Sequence, residues 1–385
     1  MAKLIDVGSI ASHFESLSDP RHTRNRKHLL ADIIVIAVAG IVCGCDGPTA
    51  MHRWANERRQ WLSQYLPLPG GIPSRDCLRR LLMMLKPEAF QQCFQCWIAS
   101  AVSSEQTQKS QADGRLVAID GKTCRGSHDA GQGLGPLHIV SAWASEEGIA
   151  LGQVATSEKS NEITAIPELL SQLNLKGTIV TIDAMGCQIG IVEQIVSEKG
   201  GFCIAVKDNQ PTLKAAIETH FHEQIERDFE DIRYRHYETT DEGHGRIDER
   251  AYYLTKVPRD IEAFDSWPQV KAIGYAIRLT KHADGREMSD IRYYILSRAL
   301  RGKRFAEAVR GHWSIESMHW VLDVTFREDD SRTRERTLAN NLSWLRRFAV
   351  ALLKRHPAND STRGKMLRCG YSTDFLTEVL MLNNV

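Results

Sequence analysis

The chain has 385 residues, of which 42% are apolar, and 49 Lys and Arg residues nearly balance 48 Asp and Glu residues. This length predicts an ordinary globular protein of two or three domains with real cores. The formal net charge of +1 excludes a uniformly basic coat for nucleic acid. It is compatible with local basic patches, which lie near both ends of the chain and fit an anionic polymer as partner.

The nine cysteines are scattered and no secretory signal precedes them, which predicts reduced thiols in a cytoplasmic protein. Neither Cys43 with Cys45 nor Cys93 with Cys96 completes a zinc-binding spacing. The apolar run Ile33–Cys43 is far shorter than the roughly 20 residues that a membrane span needs. It predicts a buried helix, and no membrane is expected among the partners.

Residues 1–102 predict an all-helical domain, in which Ser74 can cap one of the helices. Helical periodicity covers three segments, residues 29–43, 51–65 and 74–85. A basic cluster precedes the first of them and includes Arg24, Arg26 and Lys27. The polar residues 103–114 are typical of an interdomain linker.

After the linker the pattern changes to strands alternating with helices, in the order βββαβαβα over residues 115–227. The predicted strands cover residues 116–120, 138–144, 149–156, 178–183 and 202–207. This order predicts an α/β fold with a mixed sheet, antiparallel strands first and parallel crossovers after. It resembles the ribonuclease H-like fold of metal-dependent nucleases and integrases, in which the first and fourth strands are neighbours.

Residues 228–300 are β-rich and predict two antiparallel hairpins inserted within the larger fold. Residues 301–385 return to helices and end in a basic tail. The insertion thus separates the first part of the α/β core from its second part.

Two aspartates end predicted strands, Asp120 on the first strand and Asp183 on the fourth. Close carboxylates repel each other and persist where a cation neutralises them, so the pair predicts a site for Mg²⁺ or Mn²⁺. The alternative is that each aspartate only begins a turn, as the sequence Asp120-Gly121 would.

A third acid is expected on the helix predicted after residue 304. His312, Glu316, His319 and Asp323 follow at steps of four, three and four, and form one polar stripe. The flanking Trp313 and Trp320 indicate that this stripe faces a polar cavity and not solvent. An exposed stripe with helical ion pairs is the other interpretation, and Glu328 is the main competitor of Glu316 as third acid.

Six motifs resemble those of the DDE transposases of ISAs-type insertion sequences, the group that includes the H-repeat-associated proteins of Rhs elements. They are Ile119–Thr123, Glu158–Leu170, Asp183–Gln188, Val206–Gln210, Gly243–Arg246 and His312–Val324. The resemblance covers nearly the whole chain in consistent order. The broader superfamily often has Tyr, Arg, Glu and Lys around the third acid, where this chain has Val309, His312, Glu316 and Asp323.

The resemblance implies that Asp120, Asp183 and Glu316 are the catalytic acids and hold two Mg²⁺ or Mn²⁺ ions. It implies cleavage of DNA at the ends of an insertion sequence and strand transfer into target DNA, by a cytoplasmic bacterial protein that acts on the nucleoid as a dimer or larger assembly. Candidate DNA contacts are Lys122, Lys207, His312, His319, Arg24, Arg26, Lys27 and, in the insertion, His244, Arg246 and Trp267. An inactive DNA-binding remnant of a mobile element and a stand-alone Mg²⁺-dependent nuclease are the alternatives.

Overall fold

One mixed sheet of nine strands organises the computed structural model, which describes residues 13–14, 16–101, 114–156, 162–243, 245–258 and 260–380. The strands are β1 (Arg115–Cys124), β2 (Leu137–Ala144), β3 (Ile149–Thr156), β4 (Thr178–Ile182), β5 (Gly201–Val206), β6 (Tyr234–Gly243), β7 (Arg246–Lys256), β8 (Ala272–His282) and β9 (Glu287–Leu296). Their order across the sheet is β3-β2-β1-β4-β5-β9-β8-β7-β6.

The first five strands pair as the sequence predicts. β1, β2 and β3 are antiparallel neighbours, whereas β1, β4 and β5 run parallel to one another. The mixed α/β sheet is therefore confirmed. The β-rich segment does not form a layer of its own, because β9 pairs antiparallel with β5 and continues the same sheet through β8, β7 and β6.

Twelve α-helices cover this sheet in the described ranges. They are α1 (Leu30–Val42), α2 (Pro48–Glu57), α3 (Arg59–Leu62), α4 (Arg75–Met84), α5 (Pro87–Ala101), α6 (Glu162–Ser171), α7 (Ile189–Ser197), α8 (Pro211–Glu226), α9 (Gly302–Val324), α10 (Arg336–Arg355), α11 (Thr362–Tyr371) and α12 (Thr373–Leu380). Their starts follow from local chemistry. Ser74 caps α4 by accepting a hydrogen bond from the Cys77 amide at 3.2 Å, and prolines begin α2 and α8.

The two faces of the sheet carry different helices. α6, α7 and α8 pack on one face with side chains such as Ile119 and Ile182. Ala118, Trp143 and Ile315 belong to the core on the opposite face, where α9 and α10 lie. Because side chains alternate along a strand, Asp120 points to the same face as Ala118 and hence toward α9.

The helices before the linker share a core with the helices that end the chain. Phe94 and Trp97 of α5 pack against Phe348 of α10 with tilted rings, whose centroids lie 4.3 Å and 4.7 Å from that of Phe348. The apolar helix α1 is buried in this same core, as its sequence predicts. Residues 1–102 thus do not have a core of their own among the described residues. No helix in the described part of the chain combines the length and hydropathy needed to cross a bilayer.

Candidate active site

The two aspartates predicted to meet are neighbours on adjacent parallel strands. Ile119 of β1 pairs with Ile182 of β4, and the next residues are Asp120, within β1, and Asp183, directly after β4. β4 ends here because the Asp183 carboxylate accepts a hydrogen bond from the Met185 amide at 3.0 Å and caps a short turn. The expectation that Asp120 also ends its strand is wrong, since pairing with β2 carries β1 on to Cys124.

Burial and neighbouring charged side chains shift the pKa values of both aspartates. Burial raises the pKa of Asp183, and the negative charges of Asp120 and Glu162 raise it further. Burial also acts to raise the pKa of Asp120, but the hydrogen bond and charge of His319 outweigh it and leave this pKa lowered. His319 Nδ1 lies 3.4 Å from Asp120 Oδ2. A cation between the two aspartates would relieve their mutual repulsion.

The polar stripe of α9 lies along this edge of β1 and β4. His312 Nδ1 is 3.3 Å from the Thr181 hydroxyl on β4. Burial lowers the pKa of His312, while the charges of Asp120, Asp183 and Glu316 act in the opposite direction. The imidazole therefore lies in the field of all three acids.

A cleft of about 540 Å³ brings the three acids together, and its lining includes Asp120, Asp183, His312, Glu316 and Lys207. Lys207 follows β5 directly and is exposed. The carboxyl ends of β4 and β5 thus open on the cleft, which is where ligands bind in open α/β sheets. Trp313 lines this cleft, as its place beside the polar stripe predicts, whereas Trp320 is 62% exposed and lies outside the lining.

Glu328 lies apart from the cleft lining and is only 1% exposed. It accepts a hydrogen bond from the Ser343 hydroxyl at 2.7 Å and lies 3.4 Å from the Arg347 guanidinium. Burial acts to raise its pKa, but Arg347, Lys122 and Arg346 lower it to about 2. This carboxylate is held as a buried, ionised structural group, so the placement favours Glu316 as the third acid.

The buried Glu328 predicts an acid-dependent stability. A carboxylate whose pKa falls from 4.5 to about 2 on folding stabilises the fold fully above pH 4.5 and loses this contribution as the pH falls toward 2. We expect the difference in unfolding free energy between wild type and Glu328→Gln to narrow by about 3 kcal/mol over this interval. Urea unfolding at a series of pH values measures it, and a constant difference would contradict the assignment.

Gly121 is explained by close packing and not by a turn. The residue lies within β1, and a Cβ atom there would overlap the Glu162 carboxylate and His138 Nε2. Glu162 Oε1 lies 2.6 Å from His138 Nε2, and His138 Nδ1 is 2.9 Å from the Thr123 hydroxyl. Sequence reasoning missed this support behind Asp120, although Glu162 belongs to one of the recognised motifs.

Gly121→Ala is expected to destabilise the protein by about 1–3 kcal/mol, because the methyl group must displace the buried Glu162 and His138 side chains. Cleavage of DNA should fall with it, since the neighbouring residue is Asp120. Gly190→Ala in α7 is the matched control, because its Cβ meets nothing within 4 Å. Thermal unfolding of both variants tests the expectation, and equal melting temperatures would contradict it.

The other predicted contacts lie in several places. The Lys122 ammonium is buried and lies within 3.4 Å of three carboxylates, a structural arrangement and not an exposed DNA contact. Arg24 and Lys27 are exposed, whereas the Arg26 guanidinium donates hydrogen bonds to the backbone carbonyls of Arg21 and Asp19.

In the insertion, Arg246 is exposed and lies 3.4 Å from the Asp248 carboxylate. His244 lies outside the described residues. Trp267 is only 5% exposed, so the expectation that it grips DNA bases is wrong.

Asp120 and Asp183 form an adjacent pair of carboxylates, and Glu316 lines the same cleft. These residues suit a divalent cation. Oxygen ligands from Asp120 and Asp183 suit Mg²⁺ and Mn²⁺, and a bound cation would oppose the burial and the neighbouring negative charges that raise the pKa of Asp183. Across the described ranges, no three His, Cys, Asp or Glu side chains are already close enough to enclose an ion.

The comparisons with known proteins agree with this geometry. A family model described as "Transposase DDE domain" matches residues 111–353, and one described as "DDE_Tnp_1-associated" matches residues 11–98. "Putative transposase YncI" of Escherichia coli O157:H7 is 36% identical over 98% of this chain and 95% of its own length. "H repeat-associated putative transposase YhhI" of Escherichia coli K12 is 33% identical over 98% of both chains.

A solved structure titled as a piggyBac transposase synaptic complex with hairpin DNA covers 97% of this chain and 77% of its own chain. At 10% identity and a TM-score of 0.37, this likeness is too weak to carry a conclusion. The family models and the relatives define an enzyme class, the DNA transposases. The chain belongs to the DDE transposase family.

Proposed function

We propose that this protein cuts DNA at the ends of an insertion sequence and joins those ends to target DNA, using Asp120, Asp183 and Glu316. The observation that carries the proposal is the single cleft that brings the adjacent aspartates and Glu316 together. Glu328, the competing acid, is excluded from that lining by its burial among cations. The family membership supports the same reaction class.

The strand order β3-β2-β1-β4-β5 supports a ribonuclease H-like core, with the first and fourth strands side by side. In this interpretation the strands β6–β9 are the insertion between the second and third acids, added to one edge of the core sheet. The insertion reaches the cleft through β9, because Arg292 and Tyr293 contribute to its lining.

Asp120, Asp183 and Glu316 would hold two Mg²⁺ or Mn²⁺ ions. When bound, such ions neutralise phosphate charge and activate the attacking and leaving oxygens of a phosphodiester. His319 holds the Asp120 carboxylate in place at 3.4 Å, and His312 lines the same cleft beside the three acids. Lys207 at the rim of the cleft attracts the phosphate backbone.

The reaction needs no nucleotide cofactor. In the first step water attacks phosphorus at the element end, the P–O3′ bond breaks, and a 3′ hydroxyl and a 5′ phosphate result. In the second step that 3′ hydroxyl attacks a target phosphodiester, so that one P–O bond forms and one breaks. The protein's task in both steps is to position the reacting oxygens in line.

DNA is the proposed partner. The helices α1–α5 and α10–α12, which share one core, are proposed to recognise it. Arg24 and Lys27 are exposed there and suit phosphate contacts, which would make binding fall steeply with salt. Pairing two element ends would require at least two protomers.

The test uses the full chain with DNA duplexes that carry the sequences flanking its gene, with and without Mg²⁺, and scores cutting and joining separately. Mg²⁺-dependent cutting followed by joining is the expected result. Binding without cutting would contradict the proposal and favour an inactive remnant. Cutting without joining would favour a stand-alone nuclease.

A further inference from the structure

A buried charge network lies beside the cleft but outside its lining. Its centre is the Lys122 ammonium, which is only 6% exposed. Lys122 Nζ lies 2.7 Å from Asp323 Oδ1, 2.9 Å from Asp329 Oδ1 and 3.4 Å from Glu328 Oε2. One cation of β1 thus holds the last turn of α9 and the short turn that follows it.

The network continues from Glu328 to the sheet. Arg347 of α10 lies 3.4 Å from Glu328 Oε1, and its Nε donates a hydrogen bond to the Ser141 hydroxyl at 3.1 Å. Ser141 is the residue of β2 that pairs with Asp120. The network of charged side chains therefore connects β1 and β2 near Asp120 with the last turn of α9 and with α10, which follow Glu316 in the chain.

Lys122 and Asp323 have a particular place in this connection. Lys122 comes two residues after Asp120 on β1, and Asp323 comes seven residues, or about two turns, after Glu316 on α9. Since both elements are rigid over such distances, the ion pair fixes how far α9 lies along β1.

We propose that the Lys122–Asp323 ion pair is a positioning contact that sets Glu316 relative to Asp120 in the catalytic cleft. The inference rests on the proposed function, because Glu316 needs this placement only as the third acid. Lys122 and Asp323 act through the acids and touch neither DNA nor metal. A displacement of about 1 Å is enough to slow a positioned reaction by about 10²-fold.

Asp323→Asn tests the contact, because it removes the charge of the side chain and keeps its size. The Asp323 side chain is 36% exposed. We expect the cutting rate at saturating DNA to fall by about 10-fold to 100-fold while the DNA dissociation constant is unchanged. Mn²⁺ binding to the full chain without DNA, followed by electron paramagnetic resonance, should weaken as well. Asp323→Glu should restore both.

Asp330→Asn is the matched control, since Asp330 lies in the short turn that follows α9, is 64% exposed and pairs with Arg327. If Asp323→Asn cut DNA and bound Mn²⁺ as the wild type does, the positioning role would be overturned while the proposed function would stand. Equal losses in Asp323→Asn and Asp330→Asn would have the same consequence. Failure of the proposed function would give a different result, because Asp120→Asn would then cut DNA and bind Mn²⁺ as the wild type does. That result would overturn both proposals.

Discussion

The Asp120→Asn and Asp183→Asn variants are expected to cut element-end DNA at least about 10³-fold more slowly than the wild type. Each change keeps the side-chain shape but removes one carboxylate charge from the pair that would hold the metal ions. Metal ions contribute several kcal/mol to such a reaction, and each 1.4 kcal/mol is a factor of about ten in rate. Single-turnover cleavage with Mg²⁺ measures the loss.

DNA binding should survive in both variants, because removing negative charge from the cleft does not weaken its attraction for phosphate. Glu168→Gln on the exposed side of α6 serves as the control and should cut normally. If Asp120→Asn or Asp183→Asn retained the wild-type rate, the adjacent aspartates would be structural residues only.

The Glu328→Gln variant is expected to lose about 3–5 kcal/mol of unfolding free energy, because breaking a buried ion pair leaves the remaining charge without compensation. Here the stranded cations would be Arg347, with no exposed side-chain surface, and Lys122. Urea unfolding at neutral pH gives the value. The exposed Asp330→Asn supplies the comparison and should change stability by less than about 0.5 kcal/mol.

An opposite pattern would contradict this assignment. If Glu328→Gln unfolded like the wild type but failed to cut, Glu328 would be the third acid and its burial would have to change on DNA binding. In the structure, Glu316 lines the cleft, whereas Glu328 is buried and holds charged side chains together inside the protein.

The strands of the core could be predicted because their signals are local. β-branched apolar runs bounded by turn residues gave β3 with its observed ends, Ile149–Thr156, and the other strands within a few residues. The neighbourhood of Asp120 and Asp183 was expected from the resemblance to the ribonuclease H-like fold, in which the first and fourth strands are neighbours, and the parallel pairing of β1 with β4 agrees with it.

The remaining features depend on tertiary pairing, which local patterns do not record. The sequence Asp120-Gly121 has the composition of a turn, yet β1 continues because β2 pairs with it for four more residues. Trp313 and Trp320 look alike in the helical pattern, but Trp313 lines the cleft whereas Trp320 is 62% exposed. The acid nearest to Lys122 in the sequence is Asp120, but its three carboxylate partners come from about 200 residues away.

The most direct test of the central claim compares Glu316→Gln with Glu328→Gln in Mg²⁺-dependent cleavage of element-end DNA, at a temperature where both variants remain folded. We predict that Glu316→Gln abolishes cutting at wild-type stability, whereas folded Glu328→Gln still cuts. Undiminished cutting by Glu316→Gln would contradict the assignment of Asp120, Asp183 and Glu316 as the acids of the site.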